Sequence, residues 1–220
     1  MKIEKKQIVD WLVLCAKVFA ENEKFLTDLD SDLGDADHGI NINRGFKVVA
    51  EHMPILEKQS ISTILKSTGV ILYSSVGGAS GLLYSTMFFR IALAIGSLEK
   101  LSIEQFIDAF KNGVDGIVTR GKAEIGDKTM CDVWLPVIDT AKNKFKKGDD
   151  LKSILNDMVE AAERGVLSTI EMHANKGQAS HLGQQSIGHQ DPGATSSMMM
   201  IKALAQTITQ QQGNNRRTSA

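Results

Sequence analysis

The chain has 220 residues, which is enough for one domain with a single core and too few for two full-sized domains. Apolar residues make up 42% and charged residues 23%, a composition typical of a soluble globular protein and not of a disordered one. The net charge is −1 and aromatic residues make up 5%, so neither a polycationic surface nor base-stacking rings predict nucleic-acid binding. No linker rich in Pro, Gly and Ser divides the chain, so we expect one domain over 1–212 and, because the end is polar, a flexible tail over 213–220.

Helical periodicity dominates the chain and predicts an all-α fold. Apolar residues recur at three- and four-residue spacing from Ile3 to about Thr27, and Asp191 followed by Pro192 is a specific signal for a helix start. No segment shows the period-2 alternation of a convincing strand. The eight predicted helices run over about 3–27, over 40–51, from 60 or 62, from 80, from 102, and over 129–145, 150–172 and 191–211.

The N-terminus and the cysteines indicate the cellular setting. The N-terminal apolar stretch is too short and too amphipathic for a signal or a membrane span, because Asp10 and Lys17 interrupt it. Cys15 and Cys131 lie far apart in apolar segments, which is typical of reduced core thiols and not of a disulfide framework. We therefore expect a cytoplasmic protein with no membrane partner.

The densest chemical signal is an acidic loop with five aspartates between positions 28 and 37. Gly34 and Gly39 break the helix there, so Asp30, Asp35 and Asp37 can converge on one point. Hard carboxylate oxygens favour Mg²⁺ or Ca²⁺. An EF-hand does not fit, because no register supplies both glycine at loop position six and glutamate at position twelve. A solvated acidic turn is the alternative to a cation site of the kind that holds substrate phosphates.

Glycines form a second cluster between two apolar helices, at Gly77, Gly78 and Gly81, with Ser80 opening the following helix. Exposed backbone N–H groups at a positive helix end bind anions, although a tight interhelical turn would have the same composition. Asp191 marks another helix start, at the end of a glycine-punctuated loop over 174–193 whose length is typical of functional loops. Together with the acidic loop, these features favour phosphate binding.

Three segments in this order, LDSDLGDADHGININRGF, GGASG and SIGHQDPGATS, resemble the nucleotide-binding L subunits of dihydroxyacetone kinases driven by the phosphotransferase system. The resemblance runs from about Trp11 to Gln206, which is nearly the whole chain. It implies a barrel of eight antiparallel helices with the nucleotide at one end. It also implies bound ADP, with ATP as the phosphorylated intermediate, and two Mg²⁺ ions.

The same resemblance assigns site residues and partners. It assigns Asp30, Asp35 and Asp37 to the Mg²⁺ ions and no protein nucleophile to the reaction. Bound ADP would take a phosphoryl group from a phosphohistidine on an M subunit and pass it to dihydroxyacetone on a K subunit. The chain has no room for a substrate domain, so we expect no kinase activity from it alone. The implied nucleotide contacts are His38, Gly39, Ile40, Asn41, Gly78, Ala79, Ser80, Gly121, Met130, Gln178, Asp191, Pro192 and Gly193.

The glycine-punctuated loop over 174–193, which we call the late loop, departs from the family pattern. Gln178 and Gln185 replace expected arginines and Gln184 replaces a glutamate, and neutral glutamine matches only weakly the charge-assisted contact that arginine makes with phosphate. The departure leaves open a divergent paralogue with another phosphoacceptor. The sequence also leaves open whether the phosphoryl donor is the phosphotransferase system or exchanged ATP. It also leaves open a nucleotide-sensing module that regulates a transcription factor or another partner. A homodimer is among the assemblies that the sequence allows.

Overall fold

The computed structural model describes residues 2–217, with side-chain environments over 2–210. Within these residues the regular secondary structure is helical apart from one small sheet, which confirms the all-α prediction. The barrel arrangement of eight helices stays a prediction. The elements in chain order are β1 (Lys2–Glu4), α1 (Lys5–Glu21), α2 (Glu23–Ser31), α3 (His38–Leu56), α4 (Ile61–Ser75), α5 (Gly78–Ile95), β2 (Lys100–Ser102), α6 (Ile103–Gly121), α7 (Cys131–Lys146), α8 (Leu151–Ser168), the 3-10 segments Thr169–Glu171 and Gln178–Ser186, and α9 (Pro192–Arg217).

The first predicted helix is two helices, α1 and α2, which meet at Asn22. The Asn22 side chain donates a hydrogen bond to the Val18 carbonyl at 2.8 Å, and the Asn22 backbone N–H donates to the same oxygen at 3.1 Å. A short amide that bonds the preceding turn competes with the helical backbone pattern. Apolar periodicity continues through this break, which is why it did not reveal the boundary.

Other boundaries also differ from the predicted ones. Helix α3 begins two residues earlier, at His38, and includes Pro54, since a proline in the last turn removes a single intrahelical hydrogen bond. Helix α9 continues to Arg217, past the predicted end near 211, and the last part of the predicted tail, 218–220, lies outside the described residues. The strands β1 and β2, which were not predicted, pair antiparallel with Ile3 opposite Leu101. Three residues per strand are too few to show an alternating pattern.

The core runs along the helices and includes a cluster of aromatic rings around Trp11 of α1. Its ring centroid lies 5.5 Å from that of Phe110 and 5.8 Å from that of Phe88, and its indole N–H donates to the Met200 carbonyl of α9 at 3.0 Å. Cys15 is free and buried, as is Cys131, in agreement with the predicted reduced thiols, and burial raises the pKa of both.

Helix α5 is long and apolar enough to cross a membrane by length and composition alone, with a mean hydropathy of 1.4 over Gly78–Ile95. Its window is 44% buried inside the structure, and the helix packs against α4 and α6. Tyr84, Met87, Phe88 and Ile91 form its buried side and belong to the core. The apolar residues on this side of α5 are therefore explained by their place in the core.

Helices α3, α5, α7 and α9 begin at the same end of the molecule, because residues at or just before each of their N-termini line one cavity. The first four N–H groups of a helix have no intrahelical partner, and the helix dipole places partial positive charge there. Their convergence makes this end of the fold a favourable place for an anion.

Candidate functional site

The cavity at this end has a volume of about 380 Å³. It is bounded by the acidic loop, the glycine turn before α5, the segment before α7, the long loop before α9 and the start of α9. Its lining residues are Asp30, Leu33, Asp35, Asp37, His38, Asn41, Gly77, Gly78, Ala79, Ser80, Leu83, Lys128, Thr129, Met130, Lys176, Gly177, Gln178, Ala179, His181, Asp191, Pro192 and Gly193.

The acidic loop brings three carboxylates together at the cavity wall. One oxygen each from Asp30, Asp35 and Asp37 lies within 4.8 Å of the other two. The buried Asp30 also shapes the loop, because its Oδ2 accepts backbone N–H groups from Asp37 at 2.9 Å and His38 at 3.1 Å. Burial raises the pKa of Asp37 above its usual value, a hydrogen bond with Asn41 opposes this, and the charges of Asp35 and Asp30 raise it further. Repulsion of this kind is relieved by a divalent cation.

The glycine turn lines the same cavity as the acidic loop and needs glycine for two separate reasons. Gly78 has φ +65°, a left-handed conformation that side chains disfavour. Gly81 lies so close to the preceding turn that a Cβ there would be 2.0 Å from the Val76 carbonyl oxygen. The turn thus presents backbone at the start of α5 with no side chain from Gly77 or Gly78 in front of it, which suits close approach by a phosphate.

His38 connects the acidic loop to α5 and α9 through a buried polar network. Its Nδ1 lies 3.2 Å from Ser80 Oγ and its Nε2 lies 2.9 Å from Ser196 Oγ. The Tyr84 hydroxyl lies 2.8 Å from the Ser196 hydroxyl and 2.9 Å from that of Ser197. Burial lowers the pKa of His38 to about 4, so the imidazole is neutral at physiological pH and hydrogen-bonds as a neutral group.

Asp191 is buried at the start of α9 and caps that helix, as the Asp-Pro sequence predicted. Its Oδ2 accepts the Ala194 N–H at 2.6 Å, and its own N–H donates to Thr169 Oγ1 at 3.0 Å. Burial raises the pKa of Asp191 to about 7, against the lowering effects of the Ala194 hydrogen bond and of the Lys128 charge. This carboxyl is therefore partly protonated near neutral pH.

The sequence profile of the DAK2 domain family matches residues 32–206. The chain belongs to the DAK2 domain family. Similar proteins include the ADP-binding subunit DhaL of the PEP-dependent dihydroxyacetone kinase of Escherichia coli strain K12, which is 48% identical over 93% of this chain and 98% of that subunit. The ADP-binding subunit DhaL of the PTS-dependent enzyme of Lactococcus lactis is 34% identical over 91% of this chain and 96% of that subunit.

The fold of this DAK2 domain is shared with a solved structure. The dihydroxyacetone kinase of C. freundii superposes with a TM-score of 0.70 over 91% of this chain and 34% of that chain, at 23% sequence identity. A second structure of that kinase, in complex with AMP-PNP and Mg²⁺, superposes with a TM-score of 0.69 at 24% identity. At this identity the likeness shows the common fold.

Most of the predicted site residues line the cavity of this DAK2 domain, but Gly39, Ile40 and Gly121 do not. Gly39 faces α2, where a Cβ would be 2.1 Å from the Glu23 carbonyl oxygen, so it serves close helix packing. Ile40 is 46% exposed on the outside of α3. Gly121 ends α6 behind the lining residue Leu83, with a Cβ position 3.3 Å from a Leu83 methyl group.

Two lysines line the cavity that sequence analysis did not single out. Lys128 is buried, with φ +60°, and its ammonium donates hydrogen bonds to the carbonyls of Thr169 and His189. It therefore joins the segment before α7 to the 3-10 segment Thr169–Glu171 and to the end of the late loop. Lys176 is half-buried and lies two residues before Gln178. No local sequence pattern distinguishes either lysine from a surface lysine. Each comes to line the cavity only because segments that are distant in sequence pack together.

Proposed function

We propose that this chain is the ADP-binding subunit of a dihydroxyacetone kinase driven by the phosphotransferase system. The supporting observation is the convergence of three carboxylates, a glycine turn and four helix N-termini on one cavity. The relatives named as such ADP-binding subunits match this chain over nearly their whole lengths, which supports the same role.

The residues of the cavity fit a magnesium nucleotide. Asp30, Asp35 and Asp37 would hold two Mg²⁺ ions, since hard carboxylate oxygens are the ligands this ion prefers. The backbone N–H groups at Ala79 and Ser80, at the start of α5, would donate to the phosphate oxygens. The apolar wall at Met130 would accept the adenine ring. Bound Mg²⁺ would neutralise the charge on the phosphates during transfer.

The proposed reaction needs positioning more than covalent catalysis by the chain. The phosphoryl group would pass from a phosphohistidine on an M subunit to bound ADP, and from the ATP formed to dihydroxyacetone on a K subunit, in the cytoplasm. The buried His38 would keep the acidic loop, α5 and α9 in register through its contacts with Ser80 and Ser196. In-line transfer between bound groups depends mainly on such alignment and on charge neutralisation.

Two measurements test this function. The purified protein is denatured and its supernatant analysed by anion exchange, where we expect ADP; the metal-free protein should bind ADP in calorimetry when Mg²⁺ is added. The protein is then combined with K and M subunits, the general phosphotransferase proteins and phosphoenolpyruvate, and formation of dihydroxyacetone phosphate is followed.

The outcomes separate the candidate functions. Failure to recover or bind ADP or ATP contradicts the proposal. Tight ADP binding without phosphoryl transfer to dihydroxyacetone favours a nucleotide-sensing module instead. Transfer that occurs with ATP and needs no M subunit identifies exchanged ATP as the donor.

A further inference from the structure

The cavity carries an excess of negative charge that the proposed ligand increases. Asp30, Asp35 and Asp37 contribute three carboxylates, and a nucleoside diphosphate adds about three more negative charges at neutral pH. Two divalent cations would leave the assembly about two charges negative, and one cation would leave it more so. A further cation near the phosphates is therefore expected on electrostatic grounds.

Lys128 and Lys176 are the lysine or arginine residues among the lining side chains of the described chain. Lys128 is already engaged, because two of its three N–H groups bond backbone carbonyls and its charge faces Asp191, Asp132 and Glu171. These contacts hold the Lys128 ammonium in place, so it is not free to move towards a ligand in the cavity.

Lys176 is not engaged by such hydrogen bonds in the part of the chain that the structure describes. Within the described residues its ammonium makes no hydrogen bond and no ion pair. It is half-buried, and it lies between the candidate site and a neighbouring cavity of about 430 Å³, since it lines both. The next residue, Gly177, has φ +69°, so the chain turns sharply before Gln178, which lines the same site but is neutral.

We propose that Lys176 binds the phosphate oxygens of the nucleotide and supplies the cationic contact that Gln178 does not. The proposal rests on the proposed function, because it requires a phosphate-bearing ligand in this cavity. A free ammonium on a four-carbon stem can follow the phosphates as their charge changes, which a fixed buried lysine cannot do. Lys176 is then a residue that binds the nucleotide and that the late loop holds at the cavity.

The test is the affinity for ADP of protein freed of nucleotide and metal with EDTA and then given Mg²⁺. Lys176→Gln should weaken ADP binding about tenfold, and Lys176→Arg should bind as the wild type does. The loss of affinity with rising ionic strength should be smaller in Lys176→Gln, because one fewer charge contacts the ligand. Thermal denaturation without ligand checks that each variant is folded.

Lys122→Gln is the matched control, since Lys122 lines the neighbouring cavity beside Lys176 but not the candidate site. It should change neither ADP affinity nor its salt dependence. If the wild type binds ADP and Lys176→Gln behaves like Lys122→Gln, the role of Lys176 is wrong and the proposed function stands. If Lys176→Arg is as weak as Lys176→Gln, the charge is not what Lys176 contributes. A wild type that binds no ADP overturns both proposals.

Discussion

His38 Nε2 lies 2.9 Å from Ser196 Oγ, although the two residues are 158 positions apart in the chain. The contact joins the first turn of α3 to the first turns of α9 and is buried. Ser196 also contacts the Tyr84 hydroxyl of α5, so one serine connects three of the four helices whose N-termini meet at the cavity. We therefore expect the relative positions of the acidic loop and the glycine turn to depend on this network.

Ser196→Ala should lower both stability and ADP affinity. The substitution leaves a buried imidazole nitrogen without its partner, which costs about 1–3 kcal/mol of the free energy of unfolding. His38 then loses the contact that fixes its ring beside Ser80, and the loop that holds Asp35 and Asp37 becomes less ordered. Urea denaturation measures the first effect and calorimetry with ADP and Mg²⁺ measures the second.

Ser197→Ala is the control for this effect, because Ser197 contacts Tyr84 but not His38. Tyr84 keeps its contact with Ser196 in that variant. We expect a smaller loss of stability and wild-type ADP affinity. Equal losses of affinity in the two serine variants would show that the contact with His38 does not order the site.

Two alanine substitutions in the acidic loop should change the stability of the metal-free protein in opposite directions. Asp35→Ala removes an exposed charge from a repulsive cluster, so it should raise the melting temperature slightly without Mg²⁺ and abolish Mg²⁺-dependent ADP binding. Asp30→Ala removes the acceptor for two backbone N–H groups and should cost about 1–3 kcal/mol even without metal. Asp37→Ala should lose ADP binding as Asp35→Ala does.

Asp28→Ala is the control in the same segment. Asp28 is exposed and paired with Lys24 at 2.6 Å, and it does not line the cavity. Its substitution should leave ADP binding unchanged. Wild-type Mg²⁺-dependent affinity in Asp37→Ala would remove Asp37 from the metal ligands.

Composition and spacing predicted the parts of the site that are built from neighbouring residues, whereas the resemblance to the family supplied distant lining residues such as Met130. Asp30, Asp35 and Asp37 belong to one loop, so composition and spacing were sufficient to group them. Closeness in sequence was not a reliable guide to the site inside α3, because successive side chains of a helix point about 100° apart. His38 and Asn41, three residues apart, therefore line the cavity, whereas Ile40 points to solvent.

The parts that sequence missed depend on packing between distant segments. Lys128 acquires its place from the carbonyls of Thr169 and His189, which are 41 and 61 residues away. The network at Tyr84 and Ser196 likewise requires α5 and α9 to be packed together. Neither relation leaves a periodic or compositional signal in the chain.

Asp191 should make stability depend on pH in the absence of ligand. Its pKa rises from the usual 3.8 to about 7 on folding, so between these values the native state holds a proton that the unfolded state releases. Stability from this group is therefore complete at low pH and is lost as pH rises towards 7 and above. Asn cannot titrate, so the stability of Asp191→Asn relative to wild type should increase by about 4 kcal/mol between pH 4 and 8.

Urea denaturation at each pH, with EDTA present, gives this difference. The titration of His38 cancels, because the residue is present in both proteins. A difference between Asp191→Asn and wild type that does not change with pH would show that Asp191 does not take up a proton on folding.

Gln178→Arg should strengthen ADP binding in Mg²⁺ about tenfold or more, because the added guanidinium enters a cavity that carries excess negative charge. Charge-assisted hydrogen bonds contribute about 1.5–3 kcal/mol when buried and less when wet. Gln185→Arg is the control, since Gln185 lies in the same 3-10 segment but does not line the cavity. Titration of ADP into both variants measures the effect, and phosphoryl transfer with K and M subunits is assayed beside it.

Unchanged affinity with altered transfer would place Gln178 at a partner surface. Unchanged values in both assays would show that the glutamine at 178 has no bearing on function.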